Sequence, residues 1–192
     1  MFIQTEATPN PATLKFLPGR EVLVQGTADF RDAGTASEAS PLAGSLFTIP
    51  GVTGVFFGYD FITVTKEDGP DWQHLKPAIL GAIMEHFMSG APVMTAGGHA
   101  ATAHHDESGE FYSEEDTEIV ATIKELLDTR VRPAVAQDGG DITFRGYENG
   151  TVFLHMKGAC SGCPSSTATL KHGIQNLLRH FLPEVEHVEQ VG

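Results

Sequence analysis

Cysteine is nearly missing from this chain, with two among 192 residues. Two thiols cannot staple a protein of this size, so a disulfide scaffold is excluded. Bases are scarce as well: 12 stand against 25 acids, giving a formal net charge of -13. Phosphates would be repelled rather than neutralised, which argues against nucleic acid as a non-specific partner. Long hydrophobic runs are also lacking. The most apolar stretch, Ile79 to Met88, is broken by Glu85 and His86 and is too short to span a bilayer. The opening residues Met1 to Glu6 carry neither a basic segment nor a continuous apolar one, and no Arg-rich, acid-poor leader follows. The expected setting is therefore a reducing one, the bacterial cytoplasm or else a matured mitochondrial form, with no membrane partner. Both thiols should then be free or metal-bound. No P-loop, dinucleotide glycine fingerprint or serine nucleophile elbow is present.

What is there suffices for two small cores. Hydrophobic residues make up 41% of the chain and charged residues 19%, ordinary values for a globular protein. The charge is uneven along the chain. Residues 1–92 carry five bases and ten acids, whereas residues 93–118 carry seven acids and no base. Within the latter, Ala96 to Ala103 shows no apolar periodicity. Small residues followed by like charges bury too little surface to offset the entropy of ordering. Residues 93–112 are read as an acidic flexible linker between a domain at 1–92 and a domain at 113–192. The fold class is α+β, as two small α/β domains.

The first domain reads as ββαββα. Phe2 to Thr5 and Thr13 to Leu17 are extended runs around a Thr8-Pro9-Asn10-Pro11 turn. Gly51 to Phe57 and Phe61 to Lys66 make a second pair, and Pro41 to Thr48 a short helix between the pairs. Trp72, Leu75, Ile79, Ile83 and Phe87 lie on one helical face, with Pro77 delaying the regular part. Phe56, Phe57, Phe61 and Trp72 are expected in the core. This domain offers no catalytic constellation, and client docking or support of a dimer is its expected role.

The second domain reads as αββαβ. Ser113 to Asp116 has capping-box spacing, and Ile119, Ile123, Leu126 and Leu127 follow as an apolar stripe up to Pro133. Ile142 to Tyr147 and Thr151 to Met156 form a hairpin across Asn149-Gly150. A helix with Leu170, Ile174, Leu177, Leu178 and Phe181 on one face then runs to Pro183, ahead of a terminal strand from Val185 to Val191.

Both cysteines fall in Gly158-Ala159-Cys160-Ser161-Gly162-Cys163-Pro164, in front of that last helix. Two intervening residues let Cys160 and Cys163 share one metal centre. Pro164 suits a first helical position, so Cys163 falls at or near the N-cap, where the dipole favours anionic sulfur. Thiolates are therefore expected. Three uses compete: packing as small apolar residues, a dithiol–disulfide oxidoreductase, and a metal centre. An iron–sulfur cluster or structural zinc usually takes four protein ligands. One chain supplies two thiolates, so a second copy would supply the rest.

Residues 119–192 resemble the NifU-like domain of iron–sulfur cluster scaffold and carrier proteins. The likeness rests on Val131-Arg132-Pro133, Asp138-Gly139-Gly140-Asp141, Cys160 to Ser166 and Leu170 to Ile174. Residues 1–90 are similar to the N-terminal domain of Nfu proteins at Thr8 to Pro11, Phe16 to Gly19, Gly54 to Gly58 and Phe61 to Thr65. The resemblance implies a non-enzymatic scaffold whose labile cluster is held by Cys160 and Cys163 of two chains. It implies a 4Fe–4S cluster ahead of 2Fe–2S or zinc. Its implied partners are a second copy of the chain, apo iron–sulfur clients and upstream assembly proteins.

Other metal candidates are weaker. His99, His104 and His105 lie in the linker and are expected to be solvated, and His155 and His172 to have ordinary surface or partly buried places. Asp138 and Asp141 suit a turn with local hydrogen bonds better than an acid–base pair.

Overall fold

A computed structural model of the chain describes residues 1–97, 109–161 and 164–191. It divides into two compact units, one ending at His104 and the other beginning at His105.

The first unit contains β1 (Gln4–Ala7), β2 (Thr13–Leu17), β3 (Ala28–Phe30), α1 (Ala33–Ala39), α2 (Pro41–Phe47), β4 (Val52–Phe57), β5 (Ile62–Lys66) and α3 (Trp72–Ser89). The expected ββαββα order holds, with β3 and α1 added in a stretch that shows no periodicity. Two caps explain α1 and α2. The Asp32 carboxylate accepts from the Thr35 amide at 2.8 Å, and Ser40 Oγ accepts from the Ala43 amide at 3.0 Å. These bonds satisfy amides that lack partners in a first turn, and Pro41 next to Ser40 sacrifices no needed donor.

The five strands run in the order β1-β2-β5-β4-β3, and every pair is antiparallel. Alternation sends Phe16, Ile62, Val64, Val55 and Phe57 into one core with Leu42, Leu46, Ile79 and Ile83 of the helices. Phe56 and Phe61 are buried but lie outside that core. Their rings sit 5.9 Å apart, with the Lys15 ammonium 4.9 Å over Phe61 and paired with Glu6 at 3.5 Å. Trp72 is half-buried at the margin, where its Nε1 donates to the Pro11 carbonyl at 3.1 Å. That tie starts α3 at Trp72, ahead of Pro77, so the proline does not delay the helix.

The second unit contains α4 (Thr117–Leu126), α5 (Arg132–Gln137), β6 (Gly140–Glu148), β7 (Thr151–Gly158), α6 (Pro164–Phe181) and β8 (His187–Gln190). Ser113 makes no side-chain cap, and a single 3-10 turn from Glu114 to Asp116 leads into α4 instead. A π turn, Leu127–Val131, joins α4 to α5 and places Pro133 in the first turn of α5. The proline is thus accommodated by an inserted residue in the helical ladder. β6 and β7 form a hairpin whose turn has Asn149 at φ 49° and Gly150 at φ 76°, as a type I′ turn requires. β8 pairs parallel to β7 after the α6 crossover, giving a three-stranded sheet in the order β6-β7-β8. Ile142, Phe144, Leu154 and Met156 face Ile123, Val135, Ile174 and Leu178 in a second core.

The stretch read as a linker is tied down at both described ends. Ser40 Oγ donates to the Val93 carbonyl at 2.5 Å, and the Thr95 amide to Ala39 at 2.8 Å. At the other end Glu110 pairs with Lys124 at 2.5 Å, and Phe111 bridges in parallel to Gly146. Its ring lies where a Cβ of Gly146 would stand, at 2.5 Å.

Candidate metal centre

The candidate centre begins where β7 ends. Gly158 turns the chain at φ 65°, a left-handed angle that favours glycine. Its carbonyl accepts from the Ser161 amide at 3.1 Å and from Ser161 Oγ at 2.9 Å. The Ala159 amide reaches across to the Gly139 carbonyl at 3.2 Å. From α6, Thr167 Oγ1 donates to the Cys160 carbonyl at 3.0 Å. Four hydrogen bonds therefore fix the backbone around Cys160 before any ligand is considered.

Cys160 is only 6% exposed and belongs to the second core. Its sulfur lies against Gly140, the first residue of β6: a Cβ at Gly140 would stand 2.5 Å from Sγ. Burial, helped by the negative charges of Asp138 and Asp141, pushes the thiol up to about 12. For Cys160 this corrects the expectation of a thiolate favoured by the helix dipole. The sulfur is turned into the core, and desolvation outweighs the dipole end. Cys163 and Gly162 lie outside the described residues.

The Asp138 to Asp141 segment does more than turn. Asp138 is exposed at the end of α5, and Gly139 at φ 81° reverses the chain, its amide donating to Ala136 at 3.0 Å. Asp141 is 4% exposed and accepts twice from Arg132: Nε to Oδ1 at 2.9 Å and Nη2 to Oδ2 at 3.0 Å. Oδ1 also accepts from the Ile142 amide at 2.8 Å, while Asp128 takes Arg132 Nη1 at 3.2 Å. The hydrogen bonds that Arg132 donates to Asp141 hold the guanidinium's pKa above its usual value. Asp141 thus keeps one local bond, from the Ile142 amide, but its main partner is Arg132. It clamps α5 to β6 directly under the cysteine loop.

Sequence reading missed the Arg132–Asp141 clamp and the close approach at Gly140. No spacing rule links an arginine to an aspartate nine positions on, at the far end of a helix. A glycine following another glycine is likewise taken for a turn. His155 is half-buried on β7 and His172 is exposed on α6, as expected. His99, His104 and His105 lie outside the described residues. Among the described residues, no group of three or more His, Cys, Asp and Glu side chains could hold a metal ion. No described helix is long and apolar enough to cross a membrane.

Comparison with known proteins adds to this geometry. Residues 3–90 match the family model described as scaffold protein Nfu/NifU N terminal, and residues 123–189 match the NifU-like domain. A protein of Homo sapiens named "NFU1 iron-sulfur cluster scaffold homolog, mitochondrial" is 55% identical over 192 residues, covering all of this chain and 72% of its own length. The protein of the same name from Drosophila ananassae is 54% identical over 191 residues. The chain spans 64% of that relative's length. Among solved structures, a NifU-like protein from Saccharomyces cerevisiae is 26% identical with a TM-score of 0.45, covering 50% of this chain and 86% of its own. The bacterial cytoplasmic setting expected from the opening residues is overturned by these relatives, which are named as mitochondrial.

Proposed function

The chain belongs to the Nfu family of iron–sulfur cluster scaffold proteins, and from that premise we propose that it carries a 4Fe–4S cluster as cargo. Cys160 and Cys163 of one chain and the same pair of a second copy supply the four thiolates. The carrying observation is the cysteine loop itself. Its backbone is fixed by bonds to Gly139, Gly158 and Thr167 at the start of α6, while the chain holds only two cysteines. A backbone fixed at Cys160, in a chain with two cysteines, supports half of a cluster site and leaves the rest to a symmetric partner.

The chemistry asked of the protein is ligand exchange. Cys160 gives up its proton when iron replaces it, and a client thiolate later takes the same iron while Cys160 is reprotonated. Burial raises the Cys160 thiol above its ordinary pKa, so the seated, unloaded sulfur is held as the protonated thiol. No general acid, base or nucleophile is required, and the protein acts as a carrier rather than an enzyme. Upstream assembly proteins load the cluster and apo iron–sulfur clients receive it. The first unit, folded but without a chemical constellation, recognises the clients or supports the loaded dimer.

Anaerobic reconstitution with iron and sulfide tests this. The expected product holds about four iron and four sulfide per pair of chains, with a 4Fe–4S Mössbauer signature. Cys160→Ser and Cys163→Ser should each abolish it. A colourless product that turns over disulfides would favour an oxidoreductase instead.

A further inference from the structure

Gly140 follows Gly139 in the chain, but the two glycines meet different needs. Gly139 takes a left-handed φ of 81°, whereas Gly140 does not lie in the left-handed region at all. Backbone freedom therefore does not call for glycine at position 140. Space does. A Cβ there would stand 2.5 Å from Cys160 Sγ, 2.7 Å from the Lys157 carbonyl oxygen and 3.1 Å from the Cys160 amide nitrogen. The first two distances are shorter than side chains tolerate, so any other residue must displace the sulfur and the adjoining backbone.

The position of this seat is fixed from both sides. Gly140 pairs with Gly158 across the hairpin, and the next residue, Asp141, is clamped to Arg132 in the bidentate bond. Strand β6 cannot slide away from the loop without breaking the clamp. The sulfur rests in this notch with only 6% of Cys160 exposed. A ligand to a cluster shared between two chains has to reach the surface. On the reading of Cys160 as such a ligand, the seated sulfur is not in its loaded position.

We propose that Gly140 is a positioning residue for Cys160: its missing side chain forms a notch in which the unloaded thiol is stowed, and loading requires the sulfur to swing out of it. The stowed sulfur is shielded from oxidants and from stray metal. The seat gives the unloaded cysteine one defined position. Arg132 and Asp141 serve the same end by holding the strand that forms the floor.

The test needs no cluster, so its failure is separable from failure of the carrier reading. In the full chain with Cys163→Ser, Cys160 is the only thiol, and its rate of alkylation by a maleimide reports how accessible the sulfur is. In the folded protein that rate should be at least about tenfold below that of the urea-unfolded chain, and Gly140→Ala should remove most of the protection. A double-mutant cycle with Cys160→Ala separates sulfur from backbone. If the sulfur is what fills the notch, Gly140→Ala lowers the thermal midpoint clearly less in the Cys160→Ala chain than in the parent. Should Gly140→Ala fail to fold, the chain with both substitutions decides: recovery of the fold supports the seat, and continued unfolding overturns it. Equal losses in both backgrounds, or an unprotected thiol in the parent, also overturn it.

Discussion

The two units solve the problem of a small core differently. The first closes five antiparallel strands against three helices, and its central side chains are almost all apolar: Phe16, Leu42, Leu46, Phe57, Ile62, Ile79 and Ile83 are among the most buried. Its buried polar groups are few and mostly paired, as where Ser40 caps α2 and donates to the Val93 carbonyl. The second unit has three strands and places a charged pair, Arg132–Asp141, at the base of its cysteine loop. Buried charges contribute little net stability, because desolvation offsets most of the attraction. Their presence where the loop is anchored points to geometry as their purpose. Hydrophobic burial builds the first unit; in the second, hydrogen bonds with fixed directions hold one sulfur in place.

That contrast can be broken in several ways. Ile79→Ala empties a fully buried site between α3 and the first sheet. It should destabilise the first unit by about 4 kcal/mol, while hydrogen exchange of β6 and β7 stays unchanged. Simultaneous loosening of both units would show that they are energetically one. Asp141→Ala leaves the largely buried Arg132 without its main partner. A loss of about 3 kcal/mol is expected, confined to the second unit and measured by urea unfolding with local probes. If Asp141→Ala were neutral, the clamp would be ornamental.

Ser40→Ala tests the polar burial of the first unit. It removes the acceptor for the Ala43 amide and the donor to Val93 in one step. The expected loss is about 1–2 kcal/mol, together with faster exchange of the Thr95 amide.

The smallest effect is a pH dependence of the first unit. His86 is 8% exposed, its Nε2 has no hydrogen-bond partner, and burial holds its pKa below the ordinary 6.5. Well above pH 6.5 neither state binds the proton, and His86 leaves stability unchanged. As the pH falls from there, the unfolded chain takes up a proton that the folded chain refuses, so stability declines until the folded pKa is passed. His86→Leu should flatten this decline between neutral and mildly acidic pH in the melting curves of the first unit. A slope that survives the substitution would assign it elsewhere.

Much of this architecture was legible in the residues. The Asn149-Gly150 turn dictated the second hairpin, the spacing from Leu170 to Phe181 gave α6, and Cys160-Ser161-Gly162-Cys163-Pro164 marked the site. Elements built from small residues were not legible. Nothing periodic marks β3 or α1, and only the cap Asp32 betrays that helix. Pro77 misled, because α3 is started by a tertiary bond from Trp72, whereas the kink or end expected at Pro133 takes the form of a π turn ahead of α5. The acidic stretch looked uniform, yet Glu110 and Phe111 find partners in Lys124 and Gly146 that are far away in the chain. The direction of the Cys160 sulfur was beyond any pattern, since the helix start argued for exposure and only the bare backbone of Gly140 explains burial.

The parallel pairing of β8 with β7 has a consequence for the order in which the second unit is completed. Thr151 aligns with His187, so the sheet is finished by residues that are made only after the whole of α6. The connection between these strands contains both cysteines and the whole of α6. Long-range parallel contacts form late, because the loop must close before they can reward it. A nascent chain can pair β6 with β7 early, through a turn of two residues. It cannot finish the sheet beyond Cys160 until the final strand arrives. The sheet that the cysteine loop follows is therefore completed late, only after both cysteines have been made.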